Sequence, residues 1–261
     1  MPTADAALRL TIFVVLLAAL ILAERHWPRR RDDRRVRARW PVNFGLVAID
    51  SLLVRLLLGA GAVGAAQWAQ AQGWGLLRLL PLPDAVRGVV ALLALDFLIY
   101  WQHRIFHAVP ALWRLHRVHH SDTAFDVSTA LRFHPVEILL SMLIKMAAVA
   151  ALGAPPWAVV AFEALLNGTA MFNHANLRLP PALDRVLRWI VVTPDMHRVH
   201  HSVHRQETDS NFGFNLPWWD RLFGSYRAQP VNGHEAMQIG LERFREPGEQ
   251  TLRRLLAQPL Q

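Results

Sequence analysis

The sequence predicts an all-α integral membrane protein with about four to five transmembrane helices and a cytoplasmic helical cap. Hydrophobic residues make up 53% of the 261 residues and charged residues only 18%, which is more apolar than one soluble core requires. The apolar residues concentrate in segments close to the ~20 residues that a spanning helix needs. The net charge of +8 comes almost entirely from arginine, since Lys145 is the only lysine, and many arginines cluster beside one apolar segment.

The first element is an apolar stretch over 6–23, followed directly by a basic run from Arg25 to Arg39. That run holds eight arginines against two aspartates. Because basic flanks stay in the cytoplasm, we expect the stretch to span with its N-terminus outside. A cleaved signal peptide carries its charge before the apolar region, so we interpret the stretch as an anchor. Basic runs beside a span typically contact anionic headgroups, and we expect no nucleic-acid partner.

The second and third spans are predicted over 44–68 and 86–101. Asp50 and Arg55 interrupt the second span and must face other helices or water. The glycines and prolines of the segment 70–84 predict an outer loop. The third span returns the chain to the cytoplasm and ends in an aromatic pair suited to the headgroup level.

Two further apolar runs, 136–152 and 156–172, predict a helical hairpin with a turn at Gly153-Ala154-Pro155. The parity of the spans brings the end of the hairpin back to the cytoplasm. Apolar and charged residues over 180–193 recur at helical spacing, which predicts an interfacial helix. The chain from Asn215 onward is polar enough for a cytoplasmic tail.

Most of the 13 histidines follow the predicted spans in three groups with helical spacing. His103 and His107 are four residues apart, which puts both imidazoles on one face of a helix continuing from the third span. Two triplets repeat the pattern: His116, His119 and His120, and then His197, His200 and His201. One such pair is often only a solvated face, but three groups on one membrane face predict metal ligands.

Two further histidines, His134 and His174, stand alone in the sequence. The ordinary interpretation of a lone histidine is a hydrogen-bonded structural residue. Both lie at cytoplasmic ends of the hairpin helices, however, where they are aimed at the same space as the three groups. We therefore include them among the candidate ligands.

The ligand set limits the choice of metal. The chain has no cysteine, so thiolate sites, disulfides and cysteine nucleophiles are excluded. Eight to eleven imidazoles exceed the four or so ligands of one structural zinc and predict two ions with open positions. Imidazole suits several metals, so ligand chemistry alone does not select one. A metal pair at the membrane surface can reach an acyl chain, and attack on its unactivated C–H bonds requires an oxidising metal–oxygen species that zinc cannot form. We therefore expect two iron ions with O2 as co-substrate.

These motifs resemble a known family. The run Tyr100-Trp101-Gln102-His103-Arg104, His107, the two His-Arg-Val-His-His blocks and the stretch 211–226 are similar to the fatty acid hydroxylase or sterol desaturase superfamily. The resemblance covers about residues 96–226. It implies a helical membrane fold, a cytoplasmic di-metal centre, oxygen activation and electrons from a reductase chain. The metal ligands that the resemblance implies are His103, His107, His116, His119, His120, His197, His200 and His201, with His134 and His174 as additions.

Other residues are candidates for supporting roles. Asp96, Asp195 and Glu137 could each orient a ligand imidazole, or could pair with an arginine in the helix bundle. His204 lies one turn past His200 and could bind metal or support a ligand. We expect four residues of the next stretch to brace the tail against the site: Asn211, Trp219, Asp220 and Arg221.

The resulting prediction is a lipid hydroxylase or desaturase of a bacterial inner membrane, with its metal site facing the cytoplasm. We divide the chain into an anchor region over 1–84, a hydroxylase-like catalytic domain over 85–230 and a cytoplasmic tail over 231–261. No haem or flavin module is visible, so electrons must come from a separate protein of the reductase, ferredoxin or cytochrome type. Two alternatives stay open: a non-redox membrane metal-binding or transport protein, and a metal-dependent lipid hydrolase. The lipid itself, whether fatty acyl or sterol-like, is not specified.

Overall fold

The computed structural model describes residues 2–31 and 37–261. Within these ranges the chain forms helices and two isolated antiparallel bridges, with no strand of a sheet. The predicted all-helical class is therefore confirmed. The centre of the arginine run, over 32–36, lies outside the described residues.

Seven helices in the described ranges are eleven residues or longer. In chain order these are α1 Pro2–His26, α2 Trp40–Leu58, α3 Gly61–Ala71, α4 Asp84–Ala108, α5 Pro110–His120, α6 Pro135–Leu152 and α7 Pro156–Asn173. The shorter helices that follow are α8 Pro181–Leu187, α9 Pro194–His200, α10 Arg205–Thr208, α11 Trp218–Leu222, α12 Gly233–Ala236 and α13 Leu252–Ala257.

The predicted hairpin is formed by α6 and α7, and its turn depends on glycine. Gly153 ends α6 in the left-handed region, with φ of 65°. A Cβ at this position would lie 2.6 Å from the carbonyl oxygen of Trp74. Glycine is therefore required both by the backbone conformation and by the close approach of the preceding loop.

The largest apolar cluster lies between α3, α4, α6 and α7 and includes Leu95 and Phe162. Helix α1 packs on α7 through a second cluster around Met171. Helix α13 packs on α2, where Leu255 contacts Leu46 in a third cluster. The tail thus folds back onto the helices that precede the histidine groups.

Among the residues that the structure describes, two stretches are long and apolar enough to cross a membrane: Trp40–Arg78 and Pro135–Leu152. Only 28% and 17% of their most apolar windows are buried, so most of their apolar surface faces outward. Leu56, for example, is 69% exposed. Length and composition alone support a membrane location weakly, and the predicted number of spans stays a prediction.

Two predicted elements differ from the structure. The second predicted span is not one helix, because Gly59 and Gly61 adopt positive φ and break the apolar stretch between α2 and α3. The helix predicted over 180–193 forms only at Pro181–Leu187. Thr193 instead begins α9 by accepting a hydrogen bond from the Met196 amide.

Candidate metal centre

Four helices bring nine histidines to one place. Helix α4 continues beyond the third predicted span, as expected, and carries His103 and His107 on one buried face. Helix α5 carries one triplet, α9 with the residue after it carries the other, and His174 caps the end of α7. All nine imidazoles are buried, with at most 5% exposure.

The nine imidazoles form two adjacent groups, in each of which the ligand nitrogens lie within 4.8 Å of one another. The five-histidine group consists of His103, His107, His116, His120 and His200. The four-histidine group consists of His119, His174, His197 and His201. The sequence-adjacent pairs His119–His120 and His200–His201 each divide between the groups, so the two groups share helices α5 and α9.

The outward-facing nitrogens of six rings have oxygen partners. In His103, His119, His174 and His200, Nδ1 lies 2.7–3.2 Å from a backbone carbonyl oxygen. The partner carbonyls belong to Phe212, Arg132, Ala170 and Ser210. A carbonyl can only accept, so Nδ1 carries the proton in these four rings and Nε2 carries a lone pair. Nδ1 of His116 lies 2.6 Å from Glu137, and Nδ1 of His107 lies 3.2 Å from Asp209.

The inward-facing nitrogens lack ordinary partners. Nε2 of His103 and His116 lie 3.1 Å apart, and Nε2 of His174 lies 3.1 Å from the corresponding atoms of both His119 and His197. Two lone pairs that face each other at this distance cannot share a hydrogen bond. Buried Nε2 atoms without a hydrogen-bond partner occur in His107, His120, His200 and His201. Converging lone pairs of this kind fit bound metal cations.

The electrostatics of the site keep the imidazoles neutral. Burial, followed by the repulsion of neighbouring imidazoles, holds the pKa of His119, His120 and His201 well below the usual histidine value. A neutral imidazole is the form that binds a metal. The donor set therefore suits two ions, one in each group, bound by nitrogen alone.

The lone candidate His134 is not brought to either group. Its Nδ1 accepts a hydrogen bond from the Val136 amide at 3.2 Å and caps α6, while its Nε2 lies 3.2 Å from the Leu256 carbonyl. His174, the other lone candidate, lies inside the four-histidine group.

Three of the four candidates for supporting roles contact other residues. Asp96 accepts a hydrogen bond from the Trp219 indole at 2.8 Å, and His204 pairs with Asn232. Asp195 binds Arg29 and Arg198 in a cluster that also includes His234. None of the three has a contact with a ligand imidazole among the described residues.

Two carboxylates do contact the imidazoles. Glu137, whose role the sequence left open, lies in the first turn of α6 and contacts His116. Asp209 was missed, because it reaches His107 only through the fold of the loop after α10. No spacing in the sequence marks that contact.

The expected brace is present at Asp220. Its carboxylate accepts hydrogen bonds at 2.8 Å from the amides of both Phe212 and Gly213. The Phe212 carbonyl then accepts from His103 at 2.8 Å. Asp220 thus fixes the loop that orients a ligand of the five-histidine group.

Comparison with known proteins decides the family. The sequence model described as "Fatty acid hydroxylase" matches residues 88–225. The chain belongs to the fatty acid hydroxylase family. The match contains all nine clustered histidines, and leaves α1 to α3 and the C-terminal helix α13 outside it.

Relatives of this fatty acid hydroxylase family member include enzymes of lipid metabolism. An alkylglycerol monooxygenase from Xenopus tropicalis is 28% identical over 245 residues, which is 88% of this chain and 51% of the relative. The ornithine lipid hydroxylase OlsE from Rhizobium tropici is 33% identical over 150 residues, 57% of this chain and 44% of the relative. The fatty acid hydroxylase vlmA from Lecanicillium sp is 27% identical over 175 residues, 59% and 46% of the two chains.

The chain spans about half the length, or less, of these curated relatives. No solved structure gives a significant match.

Proposed function

We propose that the chain is a membrane-bound, non-haem di-iron oxygenase that hydroxylates or desaturates a lipid, using O2 and electrons from a separate donor protein. The observation that carries this proposal is the pair of adjacent, buried, all-nitrogen histidine groups. Nine imidazoles are more than one ion accepts, and their inward lone pairs have no other buried partner. Iron bound in the two groups would supply the activation of O2.

The relatives favour a lipid substrate and hydroxylation. The names of the three relatives given above each describe a hydroxylase or a monooxygenase, and each includes a lipid. The surroundings of the histidines agree with an apolar substrate. The Phe214 ring lies 5.7 Å from His103 and 5.8 Å from His197, and it also packs on both of the larger apolar clusters. We infer that a lipid chain approaches the metals past Phe214.

Residues of the chain itself prepare the site. Glu137 and Asp209 hold the rings of His116 and His107 so that Nε2 points inward. Phe133 stacks on His119 with ring centroids 4.4 Å apart, and Phe125 lies against His174. These apolar walls exclude water from the four-histidine group, which protects an oxidising centre from side reactions.

In the proposed placement, the chain crosses a bacterial inner membrane four to five times. The metal centre lies at the cytoplasmic face. Support comes from the outward-facing apolar stretches and from the arginines that follow α1. The helix α8 region adds an exposed apolar surface, with Val186, Trp189 and Ile190 each 58–59% exposed. Such a surface suits the membrane interface.

The experiment that tests this function is elemental analysis of detergent-purified protein together with lipid analysis of expressing cells. We expect about two irons per chain. A His119→Ala, His200→Ala double variant removes one ligand from each group and should lose the iron. His26→Ala is the matched control, because His26 is exposed and lies outside both groups.

The lipid arm separates the oxygenase from its alternatives. We expect an oxygenated lipid that requires O2 and disappears in the double variant. A product that forms equally without O2 would indicate a hydrolase. One tightly bound zinc, or no metal, would contradict the di-iron proposal.

A further inference from the structure

An open cleft of about 640 Å³ lies beside the five-histidine group. Helix α5 contributes Trp113 and Arg117 to its wall. The rest of the lining comes from the residues around α10, from Arg227 and Val231, and from the segment 241–244. The cleft is separate from the apolar surroundings of Phe214.

Trp113 connects this cleft to the metal ligands. Its ring centroid lies 4.9 Å from that of His107 and 5.3 Å from that of His120. Both histidines belong to the five-histidine group. One aromatic ring therefore separates a partner in the cleft from the ligands of a redox metal.

The rim of the cleft is positively charged. Arg205 and Arg243 are exposed, and Arg114 is exposed close to Arg117. Arg205 pairs with Asp209, whereas Arg243 makes no ion pair within the described residues and lies over the Phe244 ring. The opposing carboxylates of the lining are Glu207 and Glu242.

Two charged side chains inside the cleft, Glu207 and Arg117, already have hydrogen-bond partners within the chain, although Oε2 of the first and Nε of the second have none. Glu207 is buried and accepts hydrogen bonds from the Val231 amide at 2.6 Å and from Arg227 at 3.4 Å. Arg117 donates to the carbonyl oxygens of Gln258 and Gln261. A small-ligand site offers convergent polar groups inside its pocket. Here the exposed charges are on the rim, where they suit the acidic surface of a protein.

We propose that this cleft is the docking surface of a small acidic one-electron carrier protein, and that electrons pass from the carrier to the five-histidine group through Trp113. The inference rests on the proposed oxygenase function. In a hydroxylation, the substrate, O2, two electrons and two protons give the alcohol and water: one oxygen atom enters the C–H bond and the other leaves as water. Two reduced carriers are therefore oxidised in each turnover, one electron each, in successive encounters.

The first arm of the test measures binding, with an acidic [2Fe–2S] ferredoxin as the probe and the full-length, iron-loaded protein in detergent. Arg243→Glu combined with Arg114→Glu reverses the charge of the rim without touching a metal ligand. We expect it to raise the Kd by about tenfold or more at low salt, and the wild-type affinity to fall as salt increases. Arg253→Glu is the matched control, because Arg253 is exposed on α13 and lies outside the lining.

The second arm measures electron transfer. Trp113→Leu should keep the iron content and, measured at saturating ferredoxin so that a change in Kd does not matter, should slow reduction of the iron by ferredoxin about tenfold or more. Reduction by dithionite should not change, because that small reductant does not depend on the docking surface. A loss confined to the reaction with ferredoxin is not expected if Trp113 has only a packing role.

The outcomes distinguish the inference from the function on which it rests. If the wild type binds two irons and hydroxylates lipid but the rim reversal changes neither Kd nor reduction, the docking surface is overturned and the function stands. If a small redox molecule binds in the cleft and competes with ferredoxin, a small-ligand site replaces the proposal. A chain without iron overturns the function itself.

Discussion

At the scale of single residues, the hydrogen bonds behind the imidazoles set how well the site holds metal. Glu137 is the closest of these partners, at 2.6 Å from Nδ1 of His116. Removing such a partner typically weakens metal binding 10–100-fold. We therefore expect Glu137→Ala to lower iron affinity by about that factor, measured by competition with a chelator.

The conservative variant Glu137→Gln keeps an acceptor and should recover much of that affinity. Glu235→Ala is the control, since Glu235 is exposed and contacts Arg29 rather than a ligand. Equal loss in the Ala and Gln variants would show that Glu137 acts through its charge or through packing instead of through the hydrogen bond.

Asp220 makes the stability of the folded chain depend on pH. Burial raises the pKa of Asp220 to about 6, against hydrogen bonds from Ser225, Gly213 and Phe212 and the attraction of Arg104, all of which lower it. The folded chain thus binds this proton more tightly than the unfolded chain, whose value is near 3.8. Stability from this group therefore increases as the pH falls from above about 6 towards 4.

The measurement compares wild type with Asp220→Asn by thermal unfolding in detergent at pH 7 and pH 5. Contributions of the histidines occur in both proteins and cancel in the difference. We expect the wild type to gain about 1 kcal/mol relative to the variant at the lower pH. A relative stability that is constant, or that declines at pH 5, would be inconsistent with a raised pKa.

The residues show how far spacing alone can predict a site. Separations of three and four residues predicted that His103 and His107 share one helix face and that each triplet does the same. This prediction needs no tertiary information, because helical periodicity is local. His174 was predicted from its position at the end of a span. Asp209 could not be found, because its contact with His107 depends on how the loop after α10 folds. Spacing also could not divide the histidines between two groups, since that depends on how α5 and α9 pack.

At the scale of elements, helix α6 shows that a histidine near the site can have a structural role. His134 stands directly before Pro135, the first residue of the helix. Its side chain accepts a hydrogen bond from the Val136 amide. An N-cap of this kind contributes about 1 kcal/mol. We expect His134→Ala to lower stability by about that amount and to leave the iron content unchanged.

His134→Asn is the matched variant, because asparagine is a favoured cap and should restore stability. Unfolding midpoints and elemental analysis on the same preparations test both statements. Loss of about one iron in both variants would return His134 to the set of ligands predicted from the sequence.

The ends of some helices depend on backbone turns that a hydropathy pattern does not reveal. The apolar stretch over 44–68 reads as one span, but Gly59 and Gly61 turn the chain between α2 and α3. Hydropathy counts these glycines as part of an apolar run. The hairpin turn at Gly153 was predictable, because a glycine with a proline two residues later is a strong local signal.

At the scale of the whole molecule, the metal centre lies where α4, α5, α7 and α9 meet, and the C-terminal helix α13 closes over α2. The sequence predicted a polar tail after Asn215. It could not predict that Leu255 would pack against Leu46, because a single apolar face of six residues gives little signal.

The orientation of the whole molecule in the membrane is open to a direct test, because the chain contains no cysteine. Gln72→Cys lies in the loop predicted to be outside, and Gly248→Cys lies in the segment predicted to be cytoplasmic; both positions are exposed. A membrane-impermeant maleimide should label Gln72→Cys in spheroplasts and Gly248→Cys only after permeabilisation. Equal labelling of both positions before permeabilisation would place them on one side of the membrane. An odd number of spans could then no longer separate residue 72 from residue 248. The predicted topology, which puts both the arginines after α1 and the metal centre in the cytoplasm, would have to be replaced.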